Sequence, residues 1–238
     1  HIIQLKDKST MRTRKTALIV ALMTMLLLPL HAQEGRDYIK NAISGWGRCR
    51  NVAITDNGGD LALVDKNDYA HSGIPQDLAD ALKENREEGA FIDDVQLTEG
   101  GAWLILLDNN GFQWSNIPSD LESKLREWNE AGDTVTSVTF NDSGDWIAVS
   151  TEHIATSSSD LTEWVKEGIE THGQLWAAHI TEDAVALCFE NGYKFLGDVP
   201  QRLKDALRET KYDVFRIKFT KAGSYFFADT KGHYTFWM

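Results

Sequence analysis

Apolar and polar positions recur along this chain with a period of about 41 residues. The clearest copy runs from Gly101 to Leu121. In it Trp103–Leu107 is an apolar, strand-like run, and Asp108-Asn109-Asn110-Gly111 is a tight-turn signal. Phe112–Ser115 then forms a short aromatic strand, and Ile117-Pro118 opens a helix. Proline suits that position because it lacks an N–H that a first helical turn leaves unpaired.

Aligning on the leucine that follows the helix start gives Leu78, Leu121, Leu161 and Leu203, spaced by 43, 40 and 42 residues. The preceding proline is Pro75, Pro118 or Pro200, replaced by Ser158 in the third case. One helical turn further on stand Leu82, Leu125, Val165 and Leu207, so each helix carries an apolar stripe. Arg36–Ser44, with Tyr38, Ile39 and Ile43, predicts a fifth, shorter helix at the front. After each helix comes a strand of alternating character: Val52-x-Ile54, Val95-x-Leu97, Val138-x-Phe140, Ala178-x-Ile180 and Ile217-x-Phe219. A more continuously apolar second strand follows a turn, at Leu61–Val64, Trp103–Leu107, Trp146–Val149, Val185–Phe189 and Tyr225–Ala228. Being apolar on both faces, it reads as the central strand of its sheet. A third short strand closes each unit, clear at Gly111–Trp114, Gly192–Phe195 and Gly232–Phe236 and weaker at Tyr69–His71 and Ile154–Thr156.

The unit is therefore helix–strand–strand–strand, repeated five times over approximately 34–73, 74–116, 117–157, 158–198 and 199–238. This predicts an α+β repeat protein with one five-repeat domain across 33–238. A unit of this size cannot bury its own apolar face, so neighbours must stack. The first and last units look like the others, which favours closure into a five-bladed, propeller-like ring over an open curved array.

The pattern Gly-x-Trp, apolar run, Asn-Gly-aromatic-x-Trp-Ser-x-Ile-Pro-x-x-Leu resembles repeats of secreted bacterial proteins of uncharacterised activity, which are associated with propeller-like folds. Gly101–Leu125 matches best, followed by Gly144-Asp145-Trp146 and Gly58–Leu82. The third helix lacks Ile-Pro and Asp183-Ala184-Val185 lacks Gly-x-Trp. The resemblance implies a fold and transfers no catalytic residue. The same element order, read as strand–strand–helix–strand, also resembles the unit of the pentein fold of guanidine-modifying enzymes, so a pentein-like toroid stands as an alternative.

Residues 1–32 change the picture of address and charge. Met11–Lys15 is a basic start, Ala17–Leu30 an apolar run, and Leu30-His31-Ala32 a small-residue cleavage signal, so 11–32 reads as a signal peptide and 1–10 as a segment upstream of the natural start. The run is shorter than the roughly 20 residues a spanning helix needs. The expectation is an exported protein, periplasmic or extracellular, with no membrane insertion after cleavage. The whole chain has a formal net charge of −12. The first 32 residues hold five Lys/Arg and one acid, which leaves 19 basic and 35 acidic residues beyond them, a net of −16. Such a surface repels phosphate backbones and excludes nucleic acid as a partner.

Candidate chemistry is sparse. No HExxH, GxSxG, Walker-type loop, GxGxxG or CxxC occurs. Asp56-Asn57-Gly58-Gly59-Asp60 and Asn141–Asp145 resemble fragments of calcium loops, yet neither continues as a full loop would. Tight turns require the same residues, and the expectation is turns, with no metal and no cofactor. Cys49 and Cys188 are the only cysteines, and their pairing is left open. Across the hairpin turned at Thr181–Ala184, His179 faces position 186 and Cys188 lies diagonal to it, an arrangement a thiol nucleophile could use. A pentein-like or other hydrolase using Cys188 and His179, or unassigned carboxylates, is therefore the alternative function. The preferred reading is a secreted, non-catalytic binding module, expected to be monomeric, for a protein, peptide or glycan. Its candidate contact residues are the third-strand aromatics Tyr69, Phe112, Trp114, Tyr193, Phe195 and Tyr234. The same rings could equally fill interfaces between units.

Overall fold

The computed structural model describes residues 33–238, so the signal-peptide reading of 11–32 and the upstream segment 1–10 lie outside the described residues. Five units follow one another. The first holds α1 (33–46), β1 (Asn51–Ile54), β2 (Asp60–Val64) and β3 (Asp68–Ser72). The second holds α2 (Gln76–Glu88), β4 (Ile92–Leu97), β5 (Trp103–Leu107) and β6 (Gly111–Ser115). In the third are α3 (Ser119–Ala131), β7 (Val135–Phe140), β8 (Trp146–Ser150) and β9 (Ile154–Thr156). The fourth has α4 (Ser159–His172), β10 (Leu175–Ile180), β11 (Ala184–Phe189) and β12 (Gly192–Gly197). The fifth has α5 (Gln201–Glu209), β13 (Arg216–Phe219), β14 (Tyr225–Ala228) and β15 (Tyr234–Trp237). Each trio of strands is a separate antiparallel sheet with the second strand in the middle.

Helix starts differ as the sequence does. Pro75, Pro118 and Pro200 sit at the N-cap, one position before the first helical residue where they were expected, with φ of −54° and an extended ψ. In the fourth unit the cap is a side chain: Ser158 Oγ accepts the backbone N–H of Leu161 at 3.3 Å. Gly89 and Gly132 end α2 and α3 in the left-handed conformation, where a β-carbon would be strained.

The period-2 alternation of the central strands divides the core. On β5, Trp103 and Ile105 face a cluster with Leu61, Leu63, Leu78 and Leu82, while Leu104 and Leu106 face one with Leu121, Leu125, Trp128 and Trp146. Every cluster therefore lies between two neighbouring units, with the helix between them supplying part of it. Each leucine so buried contributes about 1.5–3 kcal/mol of transfer free energy. One cluster joins the last unit to the first, with Phe226, Ala228 and Met238 against Ile39, Ile43 and Val52. Tyr38, read as part of the apolar stripe of α1, is instead exposed.

Contacts between first strands run from β1 to β4, β4 to β7, β7 to β10, β10 to β13, and from β13 to β1. Arg36 of α1 adds polar links at the last of these seams. It bonds Asp60 at 2.9 and 3.0 Å, the carbonyl of Thr55, and Ser224 Oγ of the fifth unit at 3.1 Å.

Candidate functional site

All five first strands begin earlier than expected, by one residue in β1 and β13 and by three in β4, β7 and β10, each of which carries a register shift near its start. A bulge lets one extra residue enter while the following side chains keep their face. Two equivalent layers of side chains result, one of Asn51, Asp94, Ser137, Ala177 and Arg216, the next of Ala53, Gln96, Thr139, His179 and Lys218. All ten are buried. Sequence reading put the second layer at the variable positions between apolar ones, singled out His179 alone, left the first layer just before the strands, and missed the group. Their signal was polar residues alternating with apolar ones in all five strands.

Asp94 is the hub of this interior. Its Oδ1 accepts from Asn51 Nδ2 at 2.5 Å and Lys218 Nζ at 3.3 Å, and its Oδ2 from Gln96 Nε2 at 3.1 Å. Burial pushes its carboxyl up, but Lys218, Arg216 and the hydrogen bonds outweigh that and hold it below the usual carboxylate range. Burial lowers the Lys218 ammonium to about 8 against the opposing pull of Asp94. Further round, Ser137 Oγ and Thr139 Oγ1 accept the N–H groups of Ala178 and Ile180 at 3.2 and 2.9 Å, satisfying the open edge of β10.

A cavity of about 220 Å³ opens where the five first strands end, and all five units contribute to it. Its walls carry Ile54, Leu97, Phe140, Ile180 and Phe219, the last ladder residue of each first strand, with Thr98, Asn141, Thr181 and Thr220 just beyond. His179 also lines it, with Nε2 2.7 Å from the carbonyl oxygen of Phe219. A carbonyl only accepts, so Nε2 carries the hydrogen and Nδ1 is left as a bare acceptor. That Nδ1 and Thr220 Oγ1 are buried without a hydrogen-bond partner among the described residues. Burial, with Lys218 adding to it, pushes the imidazole down to about 3, so it is neutral at physiological pH.

The rim is acidic and its carboxylates bind the neighbouring turn. Glu99 accepts from the N–H groups of Asp56 and Asn57, Asp142 from Gly100, Glu182 from Asp142 and the Ser143 hydroxyl, and Asp56 from Ala222. Lys221 completes the remaining link through Asp183 at 2.5 Å. The turns that resembled calcium-loop fragments are engaged in these links and in their own folding. Asn141 Oδ1, for example, accepts Asp145 N–H at 2.8 Å.

The predicted aromatics are not brought together in one rim. Tyr69, Phe112, Trp114, Tyr193, Phe195 and Tyr234 are half-buried on the third strands of four units, at two register positions, and pack on four separate inter-unit clusters. They meet only in pairs, Phe112–Trp114 at 4.9 Å, Tyr193–Phe195 at 5.2 Å, and Tyr234 with Phe236 at 6.1 Å. Trp103 and Trp146 are core, as expected.

The hairpin pairing places His179 opposite Ala186 and Cys188 opposite Ala177, as the spacing predicts. The chemistry does not follow. Cys188 is buried beside Val199 and Leu203, and desolvation pushes its thiol up to about 12. With His179 down at about 3 and committed to Phe219, neither a thiolate nor an imidazolium forms readily. Cys49 and Cys188 are both free and lie in different clusters.

No protein-family model and no curated protein matches the chain. Among solved structures it is similar to the extracellular domain of BT4673, a proposed one component system of B. thetaiotaomicron, at 12% identity and a TM-score of 0.33. That likeness covers 79% of this chain and 35% of the other, so this chain spans about a third of its neighbour's length. No helix among the described residues is long and apolar enough to cross a membrane.

Proposed function

We propose that the protein is an exported binding module whose five units close into a propeller-like ring, and that it takes a basic peptide segment of a protein partner at the shared cavity. The observation carrying this reading is that one apolar-walled cavity draws on all five units and holds two unsatisfied buried polar atoms, His179 Nδ1 and Thr220 Oγ1. Apolar walls with a few convergent polar groups are the usual character of a ligand site. An apolar side chain enters, a donor on it or on its backbone meets Nδ1, and flanking cationic residues meet the rim carboxylates Asp56, Glu99 and Glu182. The net charge of −16 beyond residue 32 speeds encounter with such a partner. The cycle of first-strand contacts and the turn-to-turn links that return from Asp56 to Ala222 support ring closure.

Fluorescence anisotropy with Lys/Arg-rich peptides carrying one apolar side chain, against acidic counterparts, tests this. Leu97→Trp, which fills the cavity from a half-buried wall position, is expected to weaken binding at least tenfold while the melting temperature holds, and binding should fall as salt rises. Binding that survives Leu97→Trp unchanged sinks the assignment.

A second reading rests on Phe112 and Trp114. The pair is half-exposed and flanked by one groove beside α2, with Asp77 and Glu84, and another beside α3, with Arg126 and Glu130. Two adjacent half-exposed rings beside polar groups suit the face of a sugar.

A further inference from the structure

A second cavity, of about 410 Å³, lies among the first, second and fifth units. It is set at the other end of the first strands, where β1, β4 and β13 begin. Arg48, Arg50, Phe91, Asp93, Phe215 and Arg216 line it. The hydrogen bonds of its charged groups decide what it can hold. Arg50 lies over the Phe91 ring at 4.5 Å and gives its donors to backbone carbonyls, to Asp65 and Asp93 at 2.9 Å and to Ile92. Arg48 is paired with Asp65 at 2.7 Å. Asp229, also on the wall, is occupied by the N–H groups of Lys231 and His233 and by the His233 ring.

Two groups remain. Arg216 is 5% exposed, yet its guanidinium makes no hydrogen bond to any described residue, and its Nε is fully enclosed without a partner. A guanidinium has five donors in a fixed fork; here its charge lies over the Phe215 ring at 5.5 Å, and leaving the enclosed Nε donor unmet is costly. Asp94 shares its field but is already occupied by Asn51, Gln96 and Lys218. The Asp93 carboxylate is the other group. It makes no hydrogen bond either, and its nearest cationic atom, Arg50 Nη1, is 3.7 Å away. Arg216 and Asp93 influence each other through space but form no ion pair within 4 Å among the described residues. A cation lacking an acceptor and an anion lacking a donor thus face one cavity.

We propose that this cavity binds a free α-amino acid with an apolar side chain, its carboxylate taken by the Arg216 fork, its ammonium by Asp93, and its side chain laid against Phe215. The fork geometry of a guanidinium matches both oxygens of a carboxylate, which a lone ammonium would not. Asp93 disfavours a plain anion and favours a ligand that brings a positive charge beside its negative one. This site is separate from the shared cavity and does not depend on the peptide reading.

The test is a thermal-shift screen of the twenty free L-amino acids on the full chain, followed by calorimetry on whichever apolar one shifts the melting point most. The matching deaminated acid and decarboxylated amine are the comparison probes. The amino acid is expected to bind at least tenfold more tightly than either. Arg216→Met should abolish binding, and Asp93→Asn, which loses only the 3.7 Å ion pair with Arg50 and should unfold at nearly the parent temperature, should weaken it at least tenfold. Leu97→Trp, which blocks the other cavity, should leave it unchanged. The proposal is overturned if no amino acid shifts the wild-type protein, if the deaminated acid binds as well as the amino acid, or if Asp93→Asn binds normally.

Discussion

Acid should weaken this fold below the ordinary pKa of histidine, and His179 should be a cause. The ring is buried, its pKa is down at about 3, and the ordinary value is 6.5. A folded-state value below the unfolded one means that the unfolded chain binds the proton more readily across the interval between them. Stability contributed by the neutral ring is therefore fully present above about pH 6.5 and is lost as pH falls toward 3. The slope approaches about 1.4 kcal/mol per pH unit below the unfolded value, so the loss between pH 6.5 and pH 4.5 is roughly 2–2.5 kcal/mol. His71, lowered by partial burial, adds a smaller contribution of the same sign. Urea unfolding followed by tryptophan fluorescence at several pH values over that range measures the slope. His179→Gln isolates it, since glutamine can still donate to the Phe219 carbonyl but cannot take up a proton. The variant should be less stable at pH 7, through loss of the edge-on contact with Phe219 at 4.9 Å, and distinctly flatter with pH. An equal pH slope in His179→Gln and the parent protein would refute the reasoning.

Other consequences can be measured in the same way. Asp94 anchors three donors and offsets two cations, so Asp94→Asn should cost about 3–5 kcal/mol in urea unfolding, and Lys218→Met, which leaves Asp94 with Asn51, Gln96 and Arg216, clearly less. The reverse order would show that Lys218 is the anchor. Gly168 lies mid-helix in α4, where alanine ordinarily stabilises by up to about 1 kcal/mol. Here an added β-carbon would meet the Phe189 ring at 2.2 Å, so Gly168→Ala should destabilise by about 1–3 kcal/mol in thermal unfolding; a rise in melting temperature would contradict it. Phe112→Ala combined with Trp114→Ala should lower stability by about 2–4 kcal/mol if these rings serve packing. A small stability change with loss of glycan binding would instead favour their role as a sugar platform.

Much of the architecture could be read from the chain because local signals agreed. The middle strands carry apolar residues on both faces, since each faces a different neighbour, and the helix leucines repeat at one place per unit. The start of β4 was hidden because Ile92-Asp93-Asp94-Val95 breaks the period-2 pattern at a bulge. The same interruption concealed the polar interior. Asp94 and Lys218 stand 124 residues apart, and no spacing rule connects them. Arg216 stands just before the strand read as Ile217-x-Phe219, and only its missing acceptor marks it. Cys188 and His179 were correctly placed across one hairpin, but burial, which sequence shows poorly, removed their reactivity.

The turn-to-turn links have a bearing on how the units diverged. Glu99 reaches two backbone N–H groups, Asp142 one, Glu182 an N–H and a hydroxyl, Lys221 a carboxylate, and Asp56 a single N–H again. No two adjoining seams use the same connector. Adjoining seams differ in their connectors, while the separated seams of Asp142 and Asp56 use the same one. Exchanging two units would keep every sheet and every helix, yet present mismatched connectors at each altered seam. The turn residues thus distinguish adjoining seams, apart from the core that holds the units together.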